Sequence, residues 1–455
     1  MEMILEFLRD VLSQPALLIG IMSCVGLIAL KRPFHKIMTG TLKPILGYLM
    51  LAAGAGVIVS NLDPLGKMIE HGFHITGVVP NNEAIVAVAQ KVLGVETMSI
   101  LVVGLLMNLL IARFTKFKYV LLTGHHSLFM ACLMSAVLGT AGLSGIELIL
   151  VGGFLMGAWS AISPAIGQSY TSKVTDGDEI ALGHFGSLGY YLSAWVAKYV
   201  GKAEESTEDI EIPEKWGFLR DSTLSTALTM IVFYLIAAIA AGSEFVSTLS
   251  GSMSPYLFAV MSAMNFAVGV AIVYSGVRMI LGDLIPAFQG IATKIIPNAI
   301  PAVDCAVFFT YAPTAVVLGF ISSFIGGIIG MLILGAVGGV LIIPGLVPHF
   351  FCGATAGIYG NATGGRRGAA VGAFLNGLAI TFLPALALPV LGQLGFQNTT
   401  FGDADFAVMG LVLGNAFEWI GMAGIYGVVV IAALVLIIPN FIKTKGKVIN
   451  YVEEE

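Results

Sequence analysis

Charge is scarce in this chain. Asp, Glu, Lys and Arg make up 11% of its 455 residues, against roughly a quarter in soluble domains. A soluble protein of this length needs a charged coat, and 22 Lys and Arg with 27 Asp and Glu do not supply one. That excludes a cytosolic globular enzyme. A disordered chain is excluded too, because such chains are poor in apolar residues. Cysteine is equally thin. Cys24, Cys132, Cys305 and Cys352 lie in apolar or glycine-rich stretches without C-x-x-C spacing. This rules out a disulfide-stapled secreted module and gives no metal or redox signature. A net charge of −5 gives no reason to expect nucleic acid. There is no Walker A run, no His-Glu-x-x-His, no Gly-x-Ser-x-Gly, no Arg-rich sensor helix and no selectivity-filter sequence. The largest polar stretch, Gly201 to Asp221, is too short for a catalytic domain. No cofactor is expected, and any chemistry on a substrate has to come from a partner.

What is abundant is apolar surface: 57% of the residues, with a mean hydropathy of +0.93. The fold class that follows is an all-α polytopic membrane protein embedded in a lipid bilayer. A crossing helix needs about 20 apolar residues, fewer where protein shields it. Eleven transmembrane helices are predicted, at 16–30, 44–60, 97–112, 119–140, 146–162, 222–242, 256–276, 314–333, 336–350, 368–392 and 419–440. The start, Met1 to Pro15, reads as a short interfacial amphipathic helix and not as a cleavable signal. With the N-terminus outside and the C-terminus cytoplasmic, 19 of the 22 Lys and Arg fall on the inside. That bias sets the orientation.

Four stretches do not read as plain spans: 63–96 after Pro64, the Gly-punctuated 183–198, the proline-rich 297–313, and the Gly/Ala/Thr/Asn-rich 348–365. Irregular backbone at membrane depth survives only where protein or a water-filled cavity satisfies it. Re-entrant hairpins or broken helices around a pathway are expected there. A short match between the segments starting at Gly56 and Gly276 suggests an inverted-topology repeat. On that reading 1–220 and 221–455 are the two halves of a single membrane domain, with the substrate site at their interface.

Ionisable groups at membrane depth are costly, so each is a candidate site residue. Asp304, in Pro301-Ala-Val-Asp304, reads either as a partner for substrate hydroxyls or as the cap of a re-entrant helix. His184 follows Gly183 and opens a flexible segment. His125 and His126 sit in Thr-Gly-His-His-Ser, and one of the pair is expected to be structural. Glu83 reads as an interfacial residue that could also reach the pathway.

These residues carry a resemblance. The run Val174-Thr-Asp-Gly to Gly183-His184, then Gly201-Lys-Ala-Glu-Glu-Ser-Thr-Glu-Asp-Ile and the span from Ser225, is similar to the ascorbate-type IIC permeases of the bacterial phosphotransferase system. So are Leu122-Thr-Gly-His125, Val303-Asp304-Cys-Ala, Ala312-Pro313, Leu341-Ile-Ile-Pro-Gly, and Ala354-Thr355 with Gly357 and Asn361, in the same order. The resemblance implies a homodimeric inner-membrane permease of eleven spans, with a dimer-forming scaffold domain and a substrate-carrying core domain moving as an elevator. It implies uptake of L-ascorbate or a related small polyol or sugar acid, phosphorylated by a separate IIB protein from a phosphocysteine. No soluble IIA or IIB domain is expected in this chain. Carried over, the substrate contacts fall on His184, Asp304, His125 and an Ala354–Thr355 turn. Phe185 and Phe129 stand where ascorbate members have glutamines, and Glu83 where they have a tyrosine. Each phenylalanine removes a donor and an acceptor and offers a ring face for stacking on a sugar.

Overall fold

A computed structural model of the chain describes Val11 and residues 14–74, 77–80, 82–210, 222–392 and 399–441; the side chains of 83–94 are outside that description. The elements run α1 (Pro15–Ala29), α2 (Phe34–Phe73), β1 (Val79–Pro80), α3 (Asn82–Phe114), β2 (Tyr119–Leu121), α4 (Gly124–Thr140), α5 (Gly145–Thr175), β3 (Ala181–Leu182) and α6 (Ser187–Val200). They continue as α7 (Ser222–Ala241), α8 (Ser243–Ser250), α9 (Pro255–Lys294), β4 (Ile300–Val303), a 3-10 turn (Cys305–Thr310), α10 (Pro313–Ala336), α11 (Leu346–Gly392), β5 (Thr399–Thr400), α12 (Ala404–Ile420) and α13 (Met422–Phe441). The chain is an all-α, multi-pass membrane protein. Among the described residues seven helices are long and apolar enough to cross a bilayer, or eight with α7 and α8, which bend by 118°, taken as one span.

The run at 16–30 is a helix of 15 residues, α1, as its length in the sequence implies. Two predicted spans differ from what is found. Residues 119–140 split into strand β2 and the 17-residue α4. Residues 336–350 are not a helix: α10 ends at Ala336, Ile342 pairs with Val78, and α11 starts at Leu346. Pro344 and Gly345 punctuate that apolar run, which hydropathy alone does not register. Two stretches expected to hold broken helices are helical up to a break that lies further on, where α2 gives way to β1 after Phe73 and where α11 breaks at Gly364 and Gly365. Pro64 sits inside α2 without ending it. Tyr234 supports the chain there by donating to the Asn61 carbonyl, next to the Ser60 carbonyl that proline leaves without its helix partner. Residues 348–365 are helical until Gly364 and Gly365 break α11. Gly365 has φ +60°, and a side chain there would meet the Lys202 and Glu205 carbonyls. The polar loop 201–209 fills that break. Arg366 N–H donates to Glu205 O (2.8 Å), Thr207 N–H to Asn361 Oδ1 (2.8 Å), and Glu208 caps α10 through the Thr314 and Ala315 amides (3.0 and 3.2 Å).

Helices α1, α2, α7 and α9 pack on one another as one block. Helices α2 and α9, each of 40 residues, cross where glycines let backbones touch. An added Cβ at Gly47 would lie 2.8 Å from Gly276 O, and one at Gly54 2.8 Å from Gly269 O. Small residues at such crossings gain close packing where lipid supplies no hydrophobic drive. Lys43 and Asp283 pair at 3.5 Å along the same crossing.

Apart from α8, which packs on α2, α7 and α9, the remaining elements form a second block held by two small parallel sheets. In the first, the order is β2-β4-β3, so β4 lies between two strands from earlier in the chain. In the second, β1 pairs with β5 and Val78 bridges Ile342, so an early strand lies between two late segments. Sheet edges inside a membrane must be satisfied internally. The outer edge of β2 is closed by the Asn108 amide, which donates to Tyr119 O (3.1 Å) and accepts from Leu121 N–H (3.0 Å) as another strand would. Beside β3, Gln168 Nε2 donates to Ile180 O (3.1 Å).

Candidate functional site

The geometry of the site follows from parallel strands. Strands that run the same way finish at the same end, so the residues just past β2, β3 and β4 converge. Leu122 N–H donates to Ala302 O (2.9 Å) and Gly183 N–H to Val303 O (2.7 Å), carrying the ladder to its last residue. Immediately beyond stand His125 and His126 in the first turn of α4, His184 after β3, and Asp304 after β4. The second sheet brings Asn82, past β1, against Asp403, past β5. Both sets line one cavity of about 960 Å³, together with Phe129, Cys305, Pro344–Pro348 and the face of α2 from Tyr48 to Glu70. The cavity reaches the C-terminal end of α2, where Asp63, Lys67 and Glu70 stand at its rim and Lys67 pairs with Asp63 at 2.8 Å.

Asp304 is buried, and of its two expected roles the cap is seen directly. One oxygen caps the 3-10 turn by accepting from Ala306 N–H (3.0 Å), and the other faces His125 Nε2 at 3.4 Å. His125 Nδ1 lies 3.2 Å from the Tyr48 hydroxyl. His126 accepts at Nδ1 from Phe185 N–H (3.3 Å), and His184 at Nδ1 from Gly186 N–H (3.1 Å), with the Tyr190 hydroxyl 2.9 Å away. A ring nitrogen that accepts an amide hydrogen carries no proton, so the neutral ring holds it on Nε2. His126 and His184 are thereby fixed as Nε2–H donors. Their rings lie 3.8 Å apart between centroids.

Asp403 is the principal residue the sequence reading missed. Its carboxylate accepts from Asn82 Nδ2 (2.6 Å) and Cys352 Sγ (2.9 Å) and lies 3.9 Å from His184 Nδ1. That last contact is no ion pair, because Nδ1 is already an acceptor. Asp405, two residues on, is fully buried and lies outside the cavity. It accepts from Trp159 Nε1 (3.1 Å), Ser187 Oγ (2.7 Å) and Leu188 N–H (2.9 Å). It thus caps α6 and ties the segment after β5 to the segment after β3. A signal for both was present: Gly402-Asp403 before α12 repeats the pattern of Gly183-His184 before α6.

The other predicted contacts divide. Phe129 reaches the cavity and meets His125 edge-on at 5.8 Å. Phe185 does not; it is fully buried behind His126, against Phe406. Ala354 and Thr355 form no turn. They are fully buried within α11, where Thr355 Oγ1 donates to Phe351 O (2.7 Å) and meets the Cys305 thiol. The small side chains read as a bend serve close helix packing, since Gly353 and Gly357 face Gly319 of α10. Glu83 lies in the first turn of α3, and its side chain is outside the described residues.

Among the described residues two groups have metal-ligand character: His126, His184 and Asp403, and His184, Asp304 and Cys305, each with donor atoms within 4.8 Å of one another. Their chemistry does not fit a metal well. Both imidazoles have Nδ1 engaged with backbone amides and a proton on Nε2, and a ligating nitrogen must offer a free lone pair. The same groups fit a polyhydroxylated molecule: Nε2–H groups donate to its oxygens and carboxylates accept from its hydroxyls.

A family model described as the PTS system sugar-specific permease component, EIIC-GAT, matches residues 10–405. A protein of Mycoplasma pneumoniae named the ascorbate-specific PTS system EIIC component is 26% identical over an alignment covering 78% of this chain. The chain spans 62% of that relative's length.

Proposed function

The chain belongs to the EIIC-GAT family of sugar-specific PTS permease components, and from that premise we propose that it takes up L-ascorbate, or a closely related small polyol or sugar acid, by group translocation. The observation that carries this reading is the array at the strand ends. His125, His126 and His184 supply donors, and Asp304 and Asp403 supply acceptors, around a cavity large enough for a monosaccharide-sized molecule. Phe129 offers a ring face beside them. Phe185, Ala354 and Thr355 stand behind this set.

The two blocks give the reading its mechanism. The glycine-crossed block of α1, α2, α7 and α9 is the scaffold, through which two copies pair as a homodimer. The sheet-bearing block is the core and moves against it as an elevator. The halves 1–220 and 221–455 are inverted repeats. This is supported by the exchange of β4 and β1 between the sheets, and by two 40-residue helices that each cross at glycines seven residues apart. The glycines of the short sequence match are not equivalent, because Gly56 has no neighbour in reach while Gly276 touches Gly47. With the N-terminus outside, the cavity rim at Asp63 and Glu70 faces outward across the inner membrane. The basic loops and the Arg366–Arg367 break face the cytoplasm, where a separate IIB protein phosphorylates the delivered substrate.

The test is uptake of radiolabelled ascorbate by cells carrying the chain and its IIB, with a proton uncoupler in one arm and phosphoenolpyruvate depletion in the other. Uptake should survive the uncoupler, stop without phosphoenolpyruvate, and deliver phosphorylated product. Accumulation of free substrate that collapses with the proton gradient would instead mark an ion-coupled secondary transporter, with Asp304 as its proton carrier.

A further inference from the structure

Three imidazoles face the cavity, and their positions are not fixed in the same way. His126 and His184 are set by amides of Phe185 and Gly186, within the sheet-bearing block itself. His125 is set from the other block, by the Tyr48 hydroxyl of α2 (3.2 Å). Tyr48 is the only side chain with a hydrogen-bonding group among the buried residues of α2; the others are Gly40, Pro44, Gly47, Leu51, Gly54, Ile58, Leu62, Leu65 and Met68. A buried hydroxyl on an otherwise apolar face is retained at a cost unless it is paired. Here its partner is a site histidine whose other nitrogen faces Asp304 (3.4 Å).

With His125 neutral and Asp304 a carboxylate, the donors and acceptors match along the chain in one way only. His125 Nε2–H points at Asp304, so Nδ1 holds the lone pair and Tyr48 O–H donates to it. We propose that Tyr48 is a state-dependent positioning residue. It holds His125 as the Nε2–H tautomer while the core is seated as seen here, and releases it when the core moves. The inference rests on the two-block mechanism proposed above. Its consequence is that the site is complete on the side where substrate is collected and incomplete on the side where it is surrendered. Two of the three imidazoles travel with their tautomers fixed, and only His125 leaves its partner behind.

Tyr48→Phe keeps the ring and removes the hydroxyl, and two measurements decide the matter. The first needs no substrate. Purified full-length protein with 15N-labelled histidine is examined by NMR, with the His125 signal assigned through its loss in His125→Gln. In the wild type His125 should show a fixed Nε2–H tautomer. In Tyr48→Phe it should shift to an averaged signal, while His126 and His184 stay put. An unchanged His125 signal would overturn the proposal. The second is transport of 14C-ascorbate measured from each face. From the outer face KM should rise roughly three- to tenfold, the size of one lost neutral hydrogen bond, with kcat changed less. In inside-out vesicles KM should not change. Equal losses on both faces would make Tyr48 merely structural. If the wild type does not bind ascorbate, the substrate reading fails, and the NMR result still decides the role of Tyr48.

Discussion

Replacing Asp304 by asparagine separates its two jobs. The amide oxygen of the new side chain can still accept from Ala306 N–H, so the cap on the 3-10 turn survives. Its NH2 group then faces His125 Nε2–H at about the position where the carboxylate oxygen now lies 3.4 Å away, which sets donor against donor. The negative charge proposed to draw substrate hydroxyls is also gone. A hydrogen bond to a charged group contributes roughly 1.5–3 kcal/mol net, and 1.4 kcal/mol is about tenfold in affinity. Substrate binding should therefore weaken by roughly 10- to 100-fold, while thermal stability changes little. Asp304→Ala should lose the cap as well, at about 0.5–2 kcal/mol of stability, with a lower melting temperature. Equilibrium binding of labelled ascorbate to detergent-purified protein, with fluorescence-monitored melting of the same samples, reads both. An Asp304→Asn protein that binds within threefold of wild type would remove the carboxylate from the site. Equal melting losses in the two variants would show that the charge serves the fold and not the ligand.

Other outcomes follow from single contacts. Asp405→Ala leaves three donors, from Trp159, Ser187 and Leu188, without a buried acceptor. It should cost several kcal/mol by the usual penalty per unsatisfied group and abolish the monodisperse peak in size-exclusion chromatography. Gly47→Ala should lower the melting temperature, because its Cβ would lie 2.8 Å from Gly276 O, while Gly427→Ala, with open space around it, should not. Lys67→Gln at the rim should raise KM for the ascorbate anion about twofold and flatten its salt dependence. It removes a cation standing between Asp63 and Glu70 without touching the strand ends.

Much of this was legible in the sequence. Scarce charge gave the membrane, and eight of the eleven apolar runs coincide with helices able to span, the bent α7–α8 pair included. Asp304, His125 and His184 stood out because an ionisable group in an apolar stretch is expensive. What stayed hidden was long-range or carried no hydropathy signature. Strands of two to four residues, such as β3 and β4, are invisible to any periodicity window. Tyr48 looks like one more apolar residue on a helix face until His125 is placed 77 positions away. Asp403 and Asp405 sit past the 368–392 run, in a stretch given no element. Phe185 stands where the resembling family carries a glutamine after the histidine, but it does not face the cavity. It points away because consecutive residues leaving a strand face opposite sides.

The exchange of strands between the sheets sets a timetable for biosynthesis. Asn82, next to β1, finds its partner Asp403 321 residues later in the chain. At roughly 5–20 residues per second of translation, that interval is about 15–60 s. Until then β1 sits in a half-built membrane protein with its ladder groups unmatched, and no arrangement of the first half alone can complete its own second sheet. Thr399 to Ile420, made after both halves of the first sheet, therefore closes the second sheet. Substitutions in β5 should accordingly register as lost yield and proteolysis of the nascent protein well before they register as slower transport.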